Sequence, residues 1–394
     1  MDQDSKPPSR PFLLMEGGPL YNVQQHIGPR REKAKTTVRL AIMLPFITWL
    51  PLLVLTAIKG TALGDTVELP FLRDFSAYTR LLLAIPLFLV AENLIGPLIA
   101  EAAEHFITSG VVGEEEYPVF DRAIDDGLRL RDSVLAEILM LLLAYAFALT
   151  FFFTRAAHVS TWYATRTDTG VTPTLAGWWL VLFCTPLLQF LLLRWIWRIF
   201  LWFRFLHRIS KLHLNLYPTH PDQAAGLGFV GEAQRFFSML LFTYSVGVAG
   251  VLANEILYDH IPLKHYGPII GAYVLLALII ILGPLVVFSG RLLKIKRHGL
   301  HDYGTLATSY TGAFQKKWID GVSPDSEPLL GTADIQSLAD LGNSYTFVER
   351  MNAIPVNPRT PLLLAIAALL PMVPLLLTVM PAKEIVKLFF KMIM

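Results

Sequence analysis

Residues 178–212 read WWLVLFCTPLLQFLLLRWIWRIFLWFRFLHRISKL, and this stretch decides the class of fold. Its first half is apolar for most of the roughly 20 residues that a helix needs to cross the hydrocarbon core of a membrane. Its second half interleaves arginine with aromatic residues, as is typical of the boundary between lipid and water. A helix from residue 176 to 212 would be about 54 Å long, which exceeds the thickness of a bilayer. We therefore expect a membrane-spanning helix that projects into water at its basic end.

The whole chain has the composition of a membrane protein. Of its 394 residues, 54% are hydrophobic and 16% are charged, and the mean hydropathy is +0.51. Soluble domains average roughly 45–50% apolar and 25% charged residues, so a polytopic protein surrounded by the lipid bilayer is indicated. The net charge of +2 gives no reason to expect nucleic acid as a partner. The single cysteine, Cys184, excludes a disulfide within the chain. We expect no cofactor.

Seven apolar runs are long enough to cross a membrane. The last contains Pro371 and Pro374, so a re-entrant or surface segment is an alternative to a span there. The predicted fold class is an all-α polytopic transmembrane bundle of six or seven spans, with helices that extend into the cytoplasm and a cytoplasmic helical hairpin. The runs are 38–59, 80–102, 134–154, 176–203, 235–257, 267–290 and 361–381.

The distribution of basic residues predicts the orientation of the spans. The N-terminal tail and the segments 104–133, 204–235 and 291–360 together hold 21 Lys and Arg residues, whereas the three segments on the other side hold four. Segments that face the cytoplasm carry the excess of Lys and Arg. The N-terminus is therefore expected in the cytoplasm.

We divide the chain into four parts. Residues 1–37 form a cytoplasmic tail that is expected to be mostly flexible, with a short amphipathic helix over 19–27 as an alternative. Residues 38–290 form the transmembrane bundle. Residues 291–360 contain two stretches with apolar residues at helical spacing and are predicted to form the cytoplasmic hairpin. Residues 361–394 hold the last span and a C-terminal amphipathic helix that lies in the membrane interface.

Ionisable groups within spans cost about 2.5–3.5 kcal/mol each to insert and therefore mark candidate functional sites. Glu92 lies deepest, in the second span next to Asn93, and Glu255 lies near the end of the fifth. One hypothesis places these three residues along a path for protons or ions. The alternative is a protonated Glu92 that is hydrogen-bonded between helices and a Glu255 that reaches the membrane interface.

Four arginines cover one face of the fourth span towards its basic end, namely Arg194, Arg198, Arg204 and Arg208. One interpretation is a strip that attracts anions or binds anionic lipid headgroups at the inner mouth of the bundle. The other is an ordinary positively charged flank, whose arginines stack on neighbouring tryptophans and fix the helix in the interface. The sequence leaves both interpretations open.

A glycine pattern follows this helix, from Gly226 to Gly231. No strand precedes it, so it does not predict a dinucleotide site. Backbone N–H groups at Gly226 and Gly228 are candidates to hold a phosphate or carboxylate, and a tight, satisfied turn is the alternative.

Histidines and aspartates on the same side are candidate ligands for a divalent metal. The four residues are His220, Asp222, His298 and His301. Their spacing matches no diagnostic metal motif, and histidines paired with backbone or lipid are the alternative.

Three segments carry a resemblance to a known family, namely Pro218-Thr-His-Pro-Asp222, Gly226-Leu-Gly-Phe229 and Asp334-Ile-Gln-Ser-Leu-Ala-Asp-Leu-Gly-Asn343. In these segments the chain resembles a family of multi-pass inner-membrane proteins of Gram-negative bacteria. The resemblance implies location in the bacterial inner membrane and a multi-pass topology. It implies no activity and no catalytic residue.

Three functions fit these features. The first, which we favour, is a channel or transporter-like protein that moves an ion or small solute and assembles as a homo-oligomer. The second is a membrane scaffold or sensor that binds a partner or anionic lipid through its cytoplasmic helices. The third is a membrane enzyme that acts on a lipid-linked substrate, and we expect an enzyme less than either of the others.

Overall fold

The computed structural model describes residues 10–18, 33–156, 161–167, 170–320 and 332–379. Helices make up most of these residues, and one antiparallel strand pair is described, β1 (Ala164–Thr167) with β2 (Gly170–Pro173). In chain order the helices are α1 (Lys33–Lys59), α2 (Phe75–Thr108), α3 (Tyr117–Arg131), α4 (Val134–Ala156), α5 (Leu175–Ile209), α6 (Gly228–Tyr258), α7 (Leu263–Ile319), α8 (Ala333–Arg350) and α9 (Arg359–Thr378).

Six of these helices are long and apolar enough to cross a membrane, namely α1, α2, α5, α6, α7 and α9. Helices α3 and α4 meet at a bend of 44° and pass the same test as a pair, which raises the number to seven. These helices confirm the prediction of an all-α polytopic membrane bundle. Helix α9 covers the last predicted run, and by length and composition it qualifies as a span.

Prolines follow the wide helical turns of α2 and α5. The π-helical turns Tyr78–Ala84 in α2 and Leu180–Cys184 in α5 each end two residues before a proline, Pro86 or Pro186. Proline lacks an N–H group and its ring clashes with the carbonyl four residues earlier, which lies inside the wide turn in both helices. Both helices continue as α-helix beyond the proline.

Two helices are much longer than a bilayer requires. Helix α5 has 35 residues, in agreement with the predicted extension of the fourth span. Helix α7 has 57 residues and continues without a loop through residue 290, where the sequence predicted the end of the sixth span. Its last third packs against α8, where Lys317 Nζ and Trp318 Nε1 both lie 2.9 Å from Asp334 Oδ2. This confirms the helical hairpin, and the connecting residues 321–331 lie outside the described part.

Residues 10–18, which we call the N-terminal segment, lie within the tail that was predicted to be mostly flexible, and these residues are packed against the bundle. Phe12 is 1% exposed, and its ring stacks on Phe205 of α5 at 4.5 Å between centroids. A Cβ atom on Gly127 of α3 would lie 2.8 Å from the ring of Phe12, and one on Gly96 of α2 would lie 3.0 Å from the side chain of Met15. The N-terminal segment is therefore packed between α2, α3 and α5. The amphipathic helices predicted over 19–27 and near the C-terminus lie outside the described residues.

Candidate functional site

A cavity of about 440 Å³ lies between α2, α5 and α6, and Ala148 and Phe152 of α4 also line it. Its walls include both π-helical turns, through Leu81 and Ala84 of α2 and Val181 and Cys184 of α5. Wide turns interrupt the regular packing of helices and are frequent at functional sites. Both π-helical turns therefore border the cavity.

The cavity reaches the surface at the end of the bundle where α2 begins and α6 ends. Glu68 and Asp259 are exposed residues of the flanking loops, and both line the cavity. Glu255 lines it one turn deeper, and its Oε2 atom accepts a hydrogen bond of 2.8 Å from Tyr266 Oη. We call these three acids the acidic mouth. The sequence predicted Glu255 to lie along a path, and the structure places it on the wall of this cavity.

Asp74 is a fourth acid on the cavity wall and was not predicted from the sequence. Its Oδ1 atom accepts hydrogen bonds from Asn254 Nδ2 at 2.7 Å and from Ala77 N at 3.0 Å, while Oδ2 accepts one from Trp162 Nε1 at 2.9 Å. The carboxylate thus caps the first turn of α2 and ties it to α6 and to the loop before α5. The sequence does contain a signal for Asp74, because an Asp directly before an apolar run is typical of the N-terminus of a helix.

Aromatic side chains form the floor of the cavity. Phe88 of α2 and Tyr244 of α6 meet edge to face, with 5.4 Å between ring centroids. Tyr244 Oη donates a hydrogen bond of 3.3 Å to the carbonyl of Leu192, and Trp195 Nε1 donates one of 3.4 Å to the carbonyl of Phe88. We call Phe88, Leu192, Trp195 and Tyr244 the aromatic floor. It links all three helices across the end of the cavity.

Beyond the floor, three charged side chains lie inside the bundle. Glu92 is 8% exposed, and Arg194 and Arg198 are 4% and 3% exposed. Glu92 Oε1 lies 2.8 Å from Arg198 Nη1 and 3.4 Å from Arg194 Nη1. We call these residues the ion cluster. The structure corrects the strip interpretation for Arg194 and Arg198, because both face Glu92 in the interior and are not available to lipid headgroups.

The ion cluster holds one negative and two positive side chains, so one buried positive charge is left over. Arg198 Nη2 donates a hydrogen bond of 3.3 Å to the carbonyl of Met15, and its guanidinium group lies 5.3 Å from the ring centroid of Trp195. Arg194 Nη2 is buried and has no hydrogen-bond partner among the described residues. The N-terminal segment therefore provides part of the compensation that burial of these charges requires.

The floor precedes the ion cluster along α2, whereas the two overlap along α5, where Trp195 of the floor lies between Arg194 and Arg198 of the cluster. On α2, Phe88 of the floor precedes Glu92 and then Gly96, which contacts Met15. On α5, Leu192 of the floor precedes Arg198, which also contacts Met15. The order is acidic mouth, cavity, aromatic floor, ion cluster and N-terminal segment. On α2, Phe88, Glu92 and Gly96 are four residues apart, so the last three layers are spaced by about 6 Å along this helix.

The other predicted site residues of α2 and α5 have structural partners. Asn93 is exposed on the outside of α2, and its Oδ1 atom accepts a hydrogen bond of 3.3 Å from Thr37 Oγ1 of α1. Asn93 therefore does not line the cavity. Arg208 forms an ion pair with Asp126 of α3, and the half-buried Arg204 lies one turn earlier on the same helix. These two arginines lie at the end opposite the acidic mouth, which we call the basic end.

The glycine turn is filled by a side chain of the same protein. Asp222 Oδ1 accepts hydrogen bonds from Ala224 N at 2.8 Å and Gly226 N at 3.2 Å, and Oδ2 accepts one from Gly228 N at 2.8 Å. Gly226 has φ +97°, which L side chains rarely adopt. The predicted carboxylate-binding N–H groups exist, but their ligand is Asp222. The structure thus supports the tight-turn alternative and corrects the site predicted for an external anion at Gly226 and Gly228.

The structure does not bring the four candidate metal ligands together as one group. His220 Nδ1 lies 2.8 Å from Asp222 Oδ1, whereas His298 Nδ1 pairs with the carbonyl of Lys294 at 2.8 Å. His301 faces Asp302. Among the described residues no group of three or more His, Cys, Asp or Glu side chains is arranged to hold a metal ion.

Asp334 in the hairpin has a perturbed acidity. Hydrogen bonds from Lys317 and Trp318 hold the pKa of its carboxyl group below the ordinary value of 3.8. The charged form of Asp334 therefore stabilises the contact between α7 and α8.

No family model, no curated protein and no solved structure matches the chain.

Proposed function

We propose that the chain is a transporter-like membrane protein that moves a small solute or ion through the centre of the bundle. The observation that carries this proposal is the cavity of about 440 Å³, which has acids at its mouth and lies directly above the aromatic floor and the ion cluster. Solute sites of membrane transporters are water-accessible, lie deep between spans and are flanked by interrupted helices. This cavity is lined by the exposed residues Glu68 and Asp259, lies between candidate spans and is bordered by the two π-helical turns.

In this arrangement the path is closed between the cavity and the basic end. The aromatic floor closes it first, and the ion cluster and the N-terminal segment close it again. Passage of a solute requires α2 and α5 to separate, which breaks the contacts of Glu92 with Arg194 and Arg198. The π-helical turns at Tyr78–Ala84 and Leu180–Cys184 lie above these contacts and are suited to act as hinges.

For the membrane context we propose the bacterial inner membrane, with the N-terminus and the basic end in the cytoplasm. Support comes from the 21 Lys and Arg residues on one side against four on the other. In this orientation the acidic mouth opens to the periplasm. Assembly as a homo-oligomer is part of the same proposal, and cross-linking in native membranes tests it.

The experiment is a flux measurement with the purified chain in lipid vesicles. Vesicles are loaded with a panel of ions and small organic solutes, and release is compared with protein-free vesicles under several gradients and pH values. The proposal expects protein-dependent release of at least one solute class. It is abandoned if no member of the panel moves faster than through the protein-free bilayer.

The second candidate is a scaffold or sensor, and one observation favours it. The hairpin of α7 and α8 keeps large apolar side chains exposed, among them Leu306, Ile319 and Ile335. Exposed apolar groups outside the spans suit a protein partner. The test compares the proteins that co-purify with the full chain and with the triple variant Leu306→Ser, Ile319→Ser and Ile335→Ser. An unchanged set of stoichiometric partners argues against this candidate.

A further inference from the structure

We propose that the cavity binds a lipophilic organic cation, which is a single positive charge carried on an apolar body. The inference deepens the proposed function, since it names the class of solute for the same cavity. It rests on three observations, which are the charge balance of the wall, its aromatic surface and an unpartnered hydroxyl group.

The charge balance of the wall is negative. Four acids line the cavity, Glu68, Asp74, Glu255 and Asp259, against one basic residue, Arg80. The formal balance is three negative charges. Low-dielectric walls focus the field of such charges into a cleft, which raises the local concentration of cations and lowers that of anions.

The body of the cavity is apolar and rich in aromatic rings. Phe88, Phe152 and Tyr244 line it from three different helices, and Trp162 lines it from the loop that carries the Asp74 contact. Aromatic faces attract organic cations and also bury their apolar groups. A hydrated inorganic ion would gain little from these rings. The wall therefore favours an organic cation over a metal ion.

One polar group on the wall has no partner. Thr161 is 3% exposed and lines the cavity, and its Oγ1 atom has no hydrogen-bond partner within the part of the chain that the structure describes. A buried hydroxyl group without a partner costs free energy, and a ligand with a polar group would remove that cost. Gln189 of α5 also lines the cavity and offers a ligand a second polar contact.

The size of the cavity agrees with this class of ligand. About 440 Å³ falls within the range of roughly 300–1,000 Å³ that is typical of small-molecule sites. The leftover positive charge of the ion cluster lies beyond the aromatic floor. It repels a cation, so the ligand is expected to stop at the floor until the bundle opens.

The test uses two probes that share size and apolar surface and differ in the sign of their charge, tetraphenylphosphonium and tetraphenylborate. Binding of each to the full chain in detergent is measured by equilibrium dialysis, with protein-free micelles subtracted. The proposal expects the cation to bind at least about tenfold more tightly than the anion. Equal binding, tighter binding of the anion, or absence of binding by both overturns it.

Two variants test whether the acids at the mouth of the cavity cause the preference for the cation. Glu255→Gln combined with Asp259→Asn removes two charges at the mouth and is expected to weaken cation binding about tenfold, with anion binding unchanged or stronger. The control Glu104→Gln changes an exposed acid on α2 outside the cavity and should leave both probes unaffected. Equal effects of the two changes overturn the proposal. Binding is measured without a gradient, so this result is independent of the flux result that decides the proposed function.

Discussion

Arg198 Nη1 lies 2.8 Å from Glu92 Oε1 in the interior of the bundle, and this contact joins α5 to α2 below the cavity. The two residues are 106 positions apart in the chain, and each lies within a helix that is long and apolar enough to span a membrane. Arg194 shares the same carboxylate oxygen. The contact is therefore both a link between two spans and the closure beneath the proposed solute site.

Replacement of Glu92 by Gln is expected to destabilise the protein by about 3–5 kcal/mol, because two buried guanidinium groups lose their counter-ion. Unfolding in mixed detergent, followed by the helical circular dichroism signal, measures the change. Glu104→Gln is the matched control, since this glutamate is exposed on the same helix. Stability equal to that of the control would show that Glu92 does not neutralise the arginines.

A related variant separates charge from packing. The triple change Glu92→Leu, Arg194→Leu and Arg198→Leu removes all three charges together, so it leaves no buried charge without a partner. It is expected to be more stable than Glu92→Gln alone in the same unfolding measurement. A triple variant that is less stable than Glu92→Gln would contradict the electrostatic explanation.

Introduction of methyl groups beneath the N-terminal segment is expected to displace it. Ala at Gly96 and Gly127 would place Cβ atoms 3.0 Å and 2.8 Å from Met15 and Phe12, which is closer than side chains pack. A cysteine introduced by Leu14→Cys reports the exposure of the N-terminal segment through its rate of thiol labelling. This rate should be about tenfold higher when both glycines are replaced. Gly271→Ala is the control, because nothing lies within 4 Å of its Cβ position. Unchanged labelling in the double variant would show that the segment is not held at these sites.

Loss of the Asp222 carboxylate is expected to loosen the turn after α5. Asp222→Ala leaves the N–H groups of Ala224, Gly226 and Gly228 without their acceptor, at a cost of about 2–4 kcal/mol. Hydrogen exchange of these three amides measures the effect. Asp302→Ala, at an exposed residue of α7, serves as the control. Equal protection of the three amides in both variants would be inconsistent with the turn described.

The contact between α7 and α8 is expected to weaken in acid. The folded pKa of Asp334 is depressed, so its contribution to stability is present above the ordinary value of 3.8 and is lost as pH falls below it. Spin labels at the exposed positions Leu306 and Ile335 report the separation of the two helices. The distance should increase as the pH falls from 3.8 through the lower pKa of the folded state. In Asp334→Asn it should not depend on pH in this range, and a pH response equal to that of the parent would exclude Asp334 as its source.

The spans were predictable because hydropathy is local. Each apolar run is by itself sufficient to predict a helix surrounded by lipid. Prolines such as Pro86 and Pro186 mark where the helical winding changes. The turn at Asp222 was also predictable, since the N–H groups that donate hydrogen bonds to its carboxylate lie within six residues along the chain.

The core of the site was not predictable for an equally physical reason. The sequence shows that Glu92 and Arg198 lie in spans, but it does not show that their helices turn these faces towards each other. Burial of Phe12 depends on Gly127, which is more than a hundred residues away. The N-terminal segment is short and its four apolar residues are consecutive, so it gives no periodic signal that predicts burial.

Solute flux into vesicles that contain Thr185→Trp tests the central claim most directly. Thr185 lines the cavity on α5, so an indole group there should fill the space between the acidic mouth and the aromatic floor. Ile196→Trp adds the same group to the outer surface of the same helix, where Ile196 is exposed. The account predicts that Thr185→Trp lowers protein-dependent flux at least about tenfold, whereas Ile196→Trp retains it. Equal flux through both variants, or no flux above protein-free vesicles for the wild-type chain, would contradict it.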